Sequence, residues 1–374
     1  MSTSYRVRLN DPADRSYHVD VGFGVFHNIP DIVAPWEDIH RYVIITDDKT
    51  KSLFGDALAT SLRTAGLHVD ILSFASGEKS KVQETVTDLQ HQMLERHCGC
   101  DTLVLALGGG IVGDVAGFVA ATYMRGISYV HIPTTLLAMT DSAIGGRVGV
   151  NTPYGKNLVG AFWHPRRVII DINTLTSLPE GQFINGLFEV IKMFITHDAR
   201  SFGYVEKNIR ALLDRDEAVL ERVVRSAIRI RTTMATNDPH NQGEQKLIRF
   251  GHVVGQAIET VSEYAMPHGY AVGYGMLVEL LVSADLGKLE SEAKDRVIAL
   301  LQALEIRGED MGVWNTKHLL DAMKKDKAAK QGKTCMAIIK NIGEPYTLRK
   351  EYFHPVDRSV IRKAIARVKQ GFDE

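Results

Sequence analysis

Cysteine is scarce in this sequence. Its 374 residues include only Cys98, Cys100 and Cys335. Cys98 and Cys100 are separated by a single glycine, which is a poor spacing for a disulfide or for a tetrahedral zinc site. We therefore expect reduced thiols that take no part in a disulfide framework or in metal binding.

Excess charge and long apolar runs are also missing. Lys and Arg total 44 and Asp and Glu total 45, so the net charge of −1 creates no long-range field that attracts nucleic acid or an anionic membrane. No run approaches the ~20 apolar residues that a membrane span needs. The polar amino terminus lacks the apolar core of a signal peptide. We expect a cytoplasmic protein that binds neither nucleic acid nor membrane.

Short apolar runs alternate with amphipathic segments in the first half of the chain. Strands are predicted at 42–46, 69–74, 103–107, 130–133 and 168–171, and helices at 51–65 and 82–96. Strands that alternate with helices indicate parallel βαβ units. After about Pro179 the pattern becomes mostly helical, as at 218–236 and 270–289, with one late strand candidate at 335–339.

A chain of this length is long for a single hydrophobic core. We predict an N-terminal α/β nucleotide-binding domain with a parallel sheet over 1–178, and a mostly α-helical domain over 179–374. Ligands of such sheets lie beyond the carboxyl ends of the strands. The sequence therefore predicts a site in the cleft between the two domains.

A glycine-rich turn follows the third predicted strand. Gly108, Gly109 and Gly110 precede the segment IVGD and an apolar helix. Consecutive glycines let the backbone turn sharply and approach a ligand, while the first N–H groups of the helix attract an anion. A tight structural turn is the alternative, but the flanking strand and helix favour pyrophosphate binding. The spacing differs from G-x-G-x-x-G, so a standard Rossmann domain is not predicted.

Three residues have the chemistry of a metal site. Glu189 and Lys192 share a helix face among mostly apolar neighbours, and a buried carboxylate must be paired or bind a metal. His252 and His268 follow downstream, and one carboxylate with two imidazoles is a common catalytic zinc set. The chain has 14 histidines, so spacing alone leaves open that these are unrelated core or surface residues.

A series of long segments occurs in an order that is typical of one family. They are GGGIVGDVAGFVAATYMRG, HIPTTLLAMTDSAIGGRVGVN, GKNLVGAFWHP, NGLFEVIK and a GH…HG pair. From about Val43 to Gly343 the chain thus resembles the 3-dehydroquinate synthase family of sugar phosphate cyclases. The resemblance implies an NAD-binding domain and a helical metal-binding domain in a homodimer, with NAD, zinc or cobalt, and a small sugar phosphate as substrate.

The resemblance also implies a role for individual residues. NAD is expected to contact Asp47, Glu78, Lys81, Gly109, Gly110, Asp114, Thr134 and Thr135. The metal is expected to be bound by Glu189, His252 and His268. The substrate is expected to contact Asp141, Asn157 and Lys192, and its phosphate Arg125, within one chain or across the dimer interface. Lys327 matches a further phosphate-binding lysine of the family.

The implied reaction begins with a substrate hydroxyl on the metal, which is acidified so that hydride can leave to NAD. The resulting ketone acidifies the neighbouring C–H and phosphate is eliminated. Hydride then returns, the ring opens and an intramolecular aldol reaction closes a carbocycle. Because NAD is regenerated, the implied enzyme is a carbon–oxygen lyase, in which Lys192 can stabilise developing oxyanions.

The substrate pocket departs from the family pattern. Gln256 stands in place of a histidine, Arg249 of an asparagine, Gln245 of an arginine, Arg231 and Arg147 of lysines, Tyr270 of a glutamate and, near the cofactor, Lys49 of an asparagine. The family residues at 245 and 231 are expected to hold a substrate carboxylate, and a charge-assisted hydrogen bond is worth about 1.5–3 kcal/mol. Gln245 thus favours a substrate without a carboxylate, whereas Arg231 and Arg249 could rebuild an anion pocket.

On balance the sequence favours a cyclase of sedoheptulose 7-phosphate that makes a C7 cyclitol such as a valiolone. A 3-dehydroquinate synthase of the shikimate pathway is the first alternative. A metal-dependent polyol dehydrogenase is the second, because such enzymes share the two-domain plan, and it would accumulate NADH. Glu189, Lys192, His252 and His268 argue against a binding protein that has lost catalysis.

Overall fold

A computed structural model of the chain describes residues 16–238, 243–324, 326, 333–348 and 351–371. Its N-terminal part contains six strands: β1 His18–Gly22, β2 Arg41–Asp47, β3 Val69–Phe74, β4 Thr102–Gly108, β5 Tyr129–Pro133 and β8 Arg167–Asp171. They form one sheet in the order β1-β8-β5-β4-β2-β3, in which every neighbouring pair is parallel. The predicted parallel α/β sheet is confirmed.

Helices return the chain between these strands: α1 Ile29–Val33, α2 Asp48–Thr50, α3 Asp56–Thr64, α4 Gln83–Glu95 and α5 Gly110–Thr122. A π-helical turn, Lys51–Gly55, joins α2 to α3, so the helix predicted at 51–65 is present in two parts. In α4, Val86, Leu89 and Met93 are buried at the spacing of one helix face, which is why the predicted helix at 82–96 forms.

A β-hairpin that the sequence analysis did not predict lies between β5 and β8. It consists of β6 Arg147–Thr152 and β7 Gly155–Phe162. Gly149 and Gly160 pair across the two antiparallel strands, and an added methyl group on Gly149 would lie 2.4 Å from the Val159 carbonyl oxygen. Glycine is depleted in strands, so the close approach that makes this hairpin possible also concealed it in the sequence.

The second half of the chain is mostly helical, as predicted. Its helices are α6 Glu180–His197, α7 Ala199–Leu213, α8 Glu217–Asn237, α9 His252–Val261, α10 His268–Asp285, α11 Ser291–Ala303, α12 Thr316–Met323 and α13 Arg358–Lys369. In the described part of the chain, none of the helices is both long and apolar enough to cross a bilayer.

The single strand predicted at 335–339 is wrong. The segment divides into β9 Cys335–Met336, which pairs with β12 His354–Pro355, and β10 Ile339–Asn341, which pairs with β11 Glu344–Pro345. Each short strand has its own antiparallel partner, so one apolar run contributes strands to two separate two-stranded sheets. Apolarity alone could not reveal this change of partner.

The hydrophobic core crosses the predicted domain boundary. Two clusters lie within the sheet half, while the largest joins Leu136, Val168 and Ile170 of that half to Phe183 and Leu187 of α6. The division into 1–178 and 179–374 stays a prediction. Its physical basis is that α6 begins at Glu180, directly after the proposed boundary.

Candidate active site

The glycine-rich turn lies at the carboxyl end of β4. Gly108 ends the strand, Gly109 precedes the helix in an extended conformation, and α5 begins at Gly110. The Thr134 N–H donates to the Gly108 carbonyl at 3.0 Å, which holds the ends of β4 and β5 side by side. An added methyl group on Gly109 would lie 3.0 Å from Thr135 Cγ2. The turn therefore forms a narrow cradle below the first N–H groups of α5, where an anion is favoured.

The other residues predicted to contact NAD lie on segments that follow the same strand ends. Asp47 ends β2, and its Oδ1 accepts a hydrogen bond from the first turn of α2 at 2.8 Å. Lys81 is buried and forms an ion pair with Asp114 of α5. Glu78 Oε1 accepts a hydrogen bond from Asn151 Nδ2 of the hairpin at 2.6 Å. Lys81 is thus connected to α5, which begins at the cradle, and Glu78 is connected to β6.

Glu189, His252 and His268 come together from three helices. Glu189 lies in the middle of α6, whereas His252 and His268 are the first residues of α9 and α10. Their ligand atoms lie within 4.8 Å of one another. Glu189 Oε1 is 3.7 Å from His252 Nε2 and 3.5 Å from His268 Nε2. The fold thus joins residues that are 79 positions apart in sequence at their extremes (268 − 189).

This donor set fits a divalent transition metal. Burial, followed by the charge of Lys192, holds the pKa of His252 well below its usual value, so its imidazole is neutral and able to bind a cation. Glu189 is 1% exposed, and within the described residues its Oε1 accepts no hydrogen bond. A buried oxygen without a donor, facing two imidazoles, matches a site that an ion would complete.

Two residues that the sequence analysis missed extend the cluster. Glu259 Oε2 lies 3.2 Å from Nδ1 of His268, and Lys156 Nζ donates to Glu259 Oε1 at 2.8 Å. A carboxylate on Nδ1 orients a ligating imidazole and leaves Nε2 free for a metal. The available signal was position: Glu259 follows His252 by seven residues, which places both on one face of α9.

The hydrogen bond to Glu259 also affects the charge of His268. Burial lowers the pKa of His268, but the hydrogen bond and the charges of Glu259 and Glu189 outweigh it, so the pKa is raised. The pKa of Glu259 is lowered: burial opposes ionisation, while His268 and Lys156 favour it by more. Glu259 is therefore an ionised acceptor behind the imidazole.

A second polar cluster surrounds Asp141. Its Oδ1 accepts hydrogen bonds from Arg147 Nη2 at 2.9 Å and from Arg231 Nε at 2.8 Å. Burial raises the pKa of Asp141, but the charges of Arg147, Arg231 and Lys192 hold it well below its usual value. Burial, followed by the charge of Arg147, lowers the pKa of Arg231 to about 10. Lys192 itself donates to Glu189 Oε2, so it connects this cluster to the three metal-ligand candidates.

Arg249 and Gln256, two departures from the family pattern, contact each other. Arg249 Nη2 lies 2.9 and 2.7 Å from the two carboxylate oxygens of Asp326 and 3.4 Å from Gln256 Oε1. The side chain of Asp326 is buried. The charge of Arg249 is therefore already paired with a carboxylate of the chain. Lys327 and the side chain of Gln245 lie outside the described residues.

Asn157 and Arg125 occupy different surroundings. Asn157 lies on β7 next to Lys156, and its N–H donates to Asn151 Oδ1 at 3.0 Å. Arg125 is exposed in a short turn after α5. Because α5 runs back from the end of β4 to the beginning of β5, Arg125 lies at the amino edge of the sheet, opposite the cradle. Within one chain the structure does not bring Arg125 to the metal-ligand candidates.

Family models match most of the chain. A model described as 3-dehydroquinate synthase N-terminal matches residues 71–185, and one described as 3-dehydroquinate synthase C-terminal matches residues 186–329. The 3-dehydroquinate synthase of Pelotomaculum thermopropionicum is 38% identical over 330 residues, which cover 88% of this chain and 89% of that protein.

This chain belongs to the 3-dehydroquinate synthase family. The predicted resemblance is confirmed, and the chain is a sugar phosphate cyclase and thus an enzyme of the carbon–oxygen lyase class. A second family relative, the 3-dehydroquinate synthase of Desulforamulus reducens, is 35% identical over 335 residues, covering 89% of this chain and 93% of that protein.

Solved structures share the fold of this family member. The 2-epi-5-epi-valiolone synthase of Streptomyces hygroscopicus subsp. jinggangensis 5008, with NAD+ and Zn2+ bound, has a TM-score of 0.86 at 25% identity and covers 98% of this chain and 99% of its own. A 2-deoxy-scyllo-inosose synthase complexed with carbaglucose-6-phosphate, NAD+ and Co2+ has a TM-score of 0.87 at 24% identity, with coverage of 96% and 98%. At 24% identity, the similarity to the 2-deoxy-scyllo-inosose synthase shows a shared fold alone.

Proposed function

We propose that the chain is an NAD- and divalent-metal-dependent cyclase that acts on a sugar phosphate without a carboxylate, such as sedoheptulose 7-phosphate, and makes a C7 cyclitol of the valiolone type. The observation that carries this choice is the pairing of Arg249 with Asp326.

The residues around the two cofactor positions support NAD and zinc or cobalt. Glu189, His252 and His268 would hold the metal, since their donor atoms converge and Glu189 Oε1 lacks a hydrogen-bond donor in the described residues. The cradle at Gly109 and Gly110 would hold the NAD pyrophosphate. When bound, the metal would lower the pKa of a substrate hydroxyl, and NAD would accept a hydride and return it.

The polar residues of the chain have distinct tasks in this proposal. Lys192, buried beside Glu189, would stabilise negative charge that develops on substrate oxygens. Asp141 would accept a hydrogen bond from a substrate hydroxyl, because its lowered pKa keeps it ionised at neutral pH. Arg147 would orient Asp141 through its hydrogen bond. Asn157, on the hairpin beside Lys156, would contact the substrate from the sheet side.

The charged residues near the proposed substrate position support a substrate that has no carboxylate at this end of the site. Arg231 and Arg249 are the two guanidinium groups that would have to rebuild a carboxylate pocket. Arg231 is fully buried and donates to Asp141, and Arg249 donates to both oxygens of Asp326. A substrate carboxylate would enter beside two carboxylates of the chain, whereas hydroxyl groups can donate to them. Gln256, which donates and accepts but does not titrate, suits a polyol in the same way.

A 3-dehydroquinate synthase is the second candidate. It is favoured by the relatives at 35–38% identity, which carry that name. In that case Arg249 would have to leave Asp326 to bind the substrate carboxylate. The two candidates therefore differ in one contact that mutagenesis can reverse.

A homodimer is part of the proposal. Leu158, Val159 and Phe162 of β7 and Met124 in the turn after α5 are exposed apolar residues. The turn and the hairpin adjoin, since an added methyl group on Gly126 would lie 2.4 Å from Trp163. Apolar patches of this kind mark interaction surfaces. A second copy on this face would cover the patch and allow Arg125 to reach the partner's site.

A paired assay tests the substrate. The purified protein is given NAD, cobalt or zinc, and either sedoheptulose 7-phosphate or 3-deoxy-arabino-heptulosonate 7-phosphate, and phosphate release is followed. We expect release from the first sugar. Turnover of the second sugar alone would reverse the choice in favour of 3-dehydroquinate synthase.

A variant sharpens this assay. The double substitution Gln245→Arg and Arg249→Asn restores the family residues and removes the partner of Asp326. We expect the kcat/KM ratio of the carboxylated over the neutral sugar to rise about 10- to 100-fold, the equivalent of one charge-assisted hydrogen bond. Arg249→Lys, which keeps the charge, is the control and should leave the preference near that of the unmodified protein.

A further inference from the structure

The helices that begin with the two histidines pack at backbone contact. An added methyl group on Gly275 of α10 would lie 1.9 Å from the Gly251 carbonyl oxygen, which directly precedes α9. One on Gly255 would lie 3.0 Å from the Ala271 carbonyl oxygen. The rings of His252 and His268 are 5.2 Å apart. The relative position of α9 and α10 thus sets the distance between the two imidazoles.

The amino terminus of α9 has no cap from its own segment. Gly251 occupies the N-cap position with φ 79°, in the left-handed region, and no side chain there accepts from the first turn. The first N–H groups of a buried helix need acceptors. Glu279 of α10 supplies one: its Oε1 accepts from the Val253 N–H at 3.2 Å, and the N–H groups of Gly251 and Val254 also point to this carboxyl.

Burying Glu279 would be energetically unfavourable if the residue only filled space in the core. It is fully buried, and among the described residues its Oε2 has no hydrogen-bond partner. A buried polar atom without a partner destabilises the fold, and an aliphatic side chain of similar size would fill the same space without that penalty. The contacts that distinguish Glu279 from such a side chain are those with the start of α9.

We infer that Glu279 is a positioning residue for the metal site: from α10 it caps the amino terminus of α9 and thereby holds His252 at its place opposite Glu189 and His268. This inference rests on the proposed metal site. A metal site tolerates displacements of only about 0.5 Å in its ligands. Without an acceptor at Glu279, the first turn of α9, which begins with His252, would shift or fray.

The test compares three substitutions. Glu279→Gln retains a carbonyl acceptor, whereas Glu279→Met has no acceptor. Glu279→Asp keeps a carboxylate, but its shorter side chain moves the acceptor oxygens away from α9. Cobalt affinity and the visible spectrum of the cobalt-loaded protein are measured for each. We expect Glu279→Met and Glu279→Asp to weaken cobalt binding about 10- to 100-fold, as substitutions of residues that orient a metal ligand do. Both should also change the visible spectrum. Gln should stay within a few-fold of the unmodified protein.

Ser283→Ala is the matched control. Ser283 is buried one turn further along α10 and donates to the Glu279 carbonyl and accepts from the Ile339 N–H, away from α9. The Ser283→Ala substitution should lower the melting temperature without changing the cobalt affinity or the visible spectrum. Unchanged cobalt binding in both Glu279→Met and Glu279→Asp would overturn the inference.

Hydrogen exchange of the metal-free protein separates this inference from the metal site itself. In Glu279→Met and Glu279→Asp, amides at the start of α9 should exchange at least about tenfold faster than in Glu279→Gln, whether or not the protein binds cobalt. A failure of cobalt binding in the unmodified protein, with this exchange pattern present, would overturn the metal site and keep the cap. Equal exchange in all three variants would overturn the cap.

Discussion

Glu259 Oε2 lies 3.2 Å from Nδ1 of His268, whose Nε2 faces Glu189 at 3.5 Å. One imidazole thus has a carboxylate at each nitrogen. Lys156 donates to the other oxygen of Glu259 at 2.8 Å, so the hairpin of the sheet half is connected to a metal-ligand candidate in the helical half. This chain of contacts joins the sheet half to the helical half.

Glu259→Ala should weaken zinc or cobalt binding about 10- to 100-fold, because His268 loses the acceptor that orients its ring. Glu259→Gln keeps an acceptor and should lose less. Metal affinity by competition with a chelator checks this, and NAD affinity provides the internal control. Equal metal affinity in Glu259→Ala and the unmodified protein would mean that Glu259 serves only the ion pair with Lys156.

Lys192→Met should abolish most turnover while the metal is retained. The substitution removes a buried cation next to the place proposed for the reacting oxygens, and loss of one such group lowers kcat about 100- to 1000-fold. It also leaves Glu189 buried without its ion-pair partner, so the metal-free variant should unfold at a lower temperature and regain stability on addition of cobalt. A Lys192→Met variant with normal kcat would remove Lys192 from the reaction.

Gly109→Ala should weaken NAD binding by tenfold or more. The added methyl group would lie 3.0 Å from Thr135 Cγ2 and would narrow the cradle in which a pyrophosphate is expected. Isothermal titration with NAD measures the effect, and cobalt affinity should not change. Gly181→Ala is a suitable control, since no atom lies within 4 Å of its added methyl group. Normal NAD binding in Gly109→Ala would place the dinucleotide elsewhere.

His131 should make folding stability depend on pH. Burial lowers its pKa to about 4, whereas the unfolded imidazole titrates near about 6.5. The unfolded chain therefore binds a proton that the folded chain excludes. Stability is complete above pH ~6.5 and falls as the pH drops toward 4, by about 2 kcal/mol between pH ~7.5 and pH ~5.

Urea unfolding at these two pH values, for the unmodified protein and for His131→Asn, measures this dependence. The variant removes the titrating ring, so its free energy of unfolding should fall about 2 kcal/mol less over the same interval. Identical pH dependence in both proteins would show that His131 does not exclude the proton.

The sheet half was largely predictable from the sequence. The strand at Val69–Phe74 forms over the predicted residues, and the other four predicted strands differ from the observed ones by one residue at one or both ends, because buried parallel strands are continuous apolar runs. The glycine-rich turn also lies where predicted, at the end of β4. Glycine contacts between strands hid the hairpin at β6 and β7, and a change of strand partner hid the division at Cys335–Asn341.

The sequence was sufficient to predict the metal-ligand candidates, but not the residues that hold them in position. Glu189, His252 and His268 were named through the family resemblance, since their sequence separation gives no sign of contact. Glu279 and Asp326 make their contacts with segments that are distant in sequence, and no periodicity predicts such contacts. The sequence left open that Arg249 helps to rebuild an anion pocket, and only the folded chain reveals Asp326 beside it. Polar pairs formed across helices are the part that sequence reasoning misses.

The central claim is that a sugar phosphate is oxidised only transiently at this site. Rapid mixing of the NAD- and cobalt-loaded protein with sedoheptulose 7-phosphate tests it directly, with NADH absorbance and phosphate followed together. The account predicts a rise and decay of NADH within the turnover and one phosphate released per sugar consumed. Accumulation of one NADH per sugar without phosphate would contradict it and identify a dehydrogenase instead.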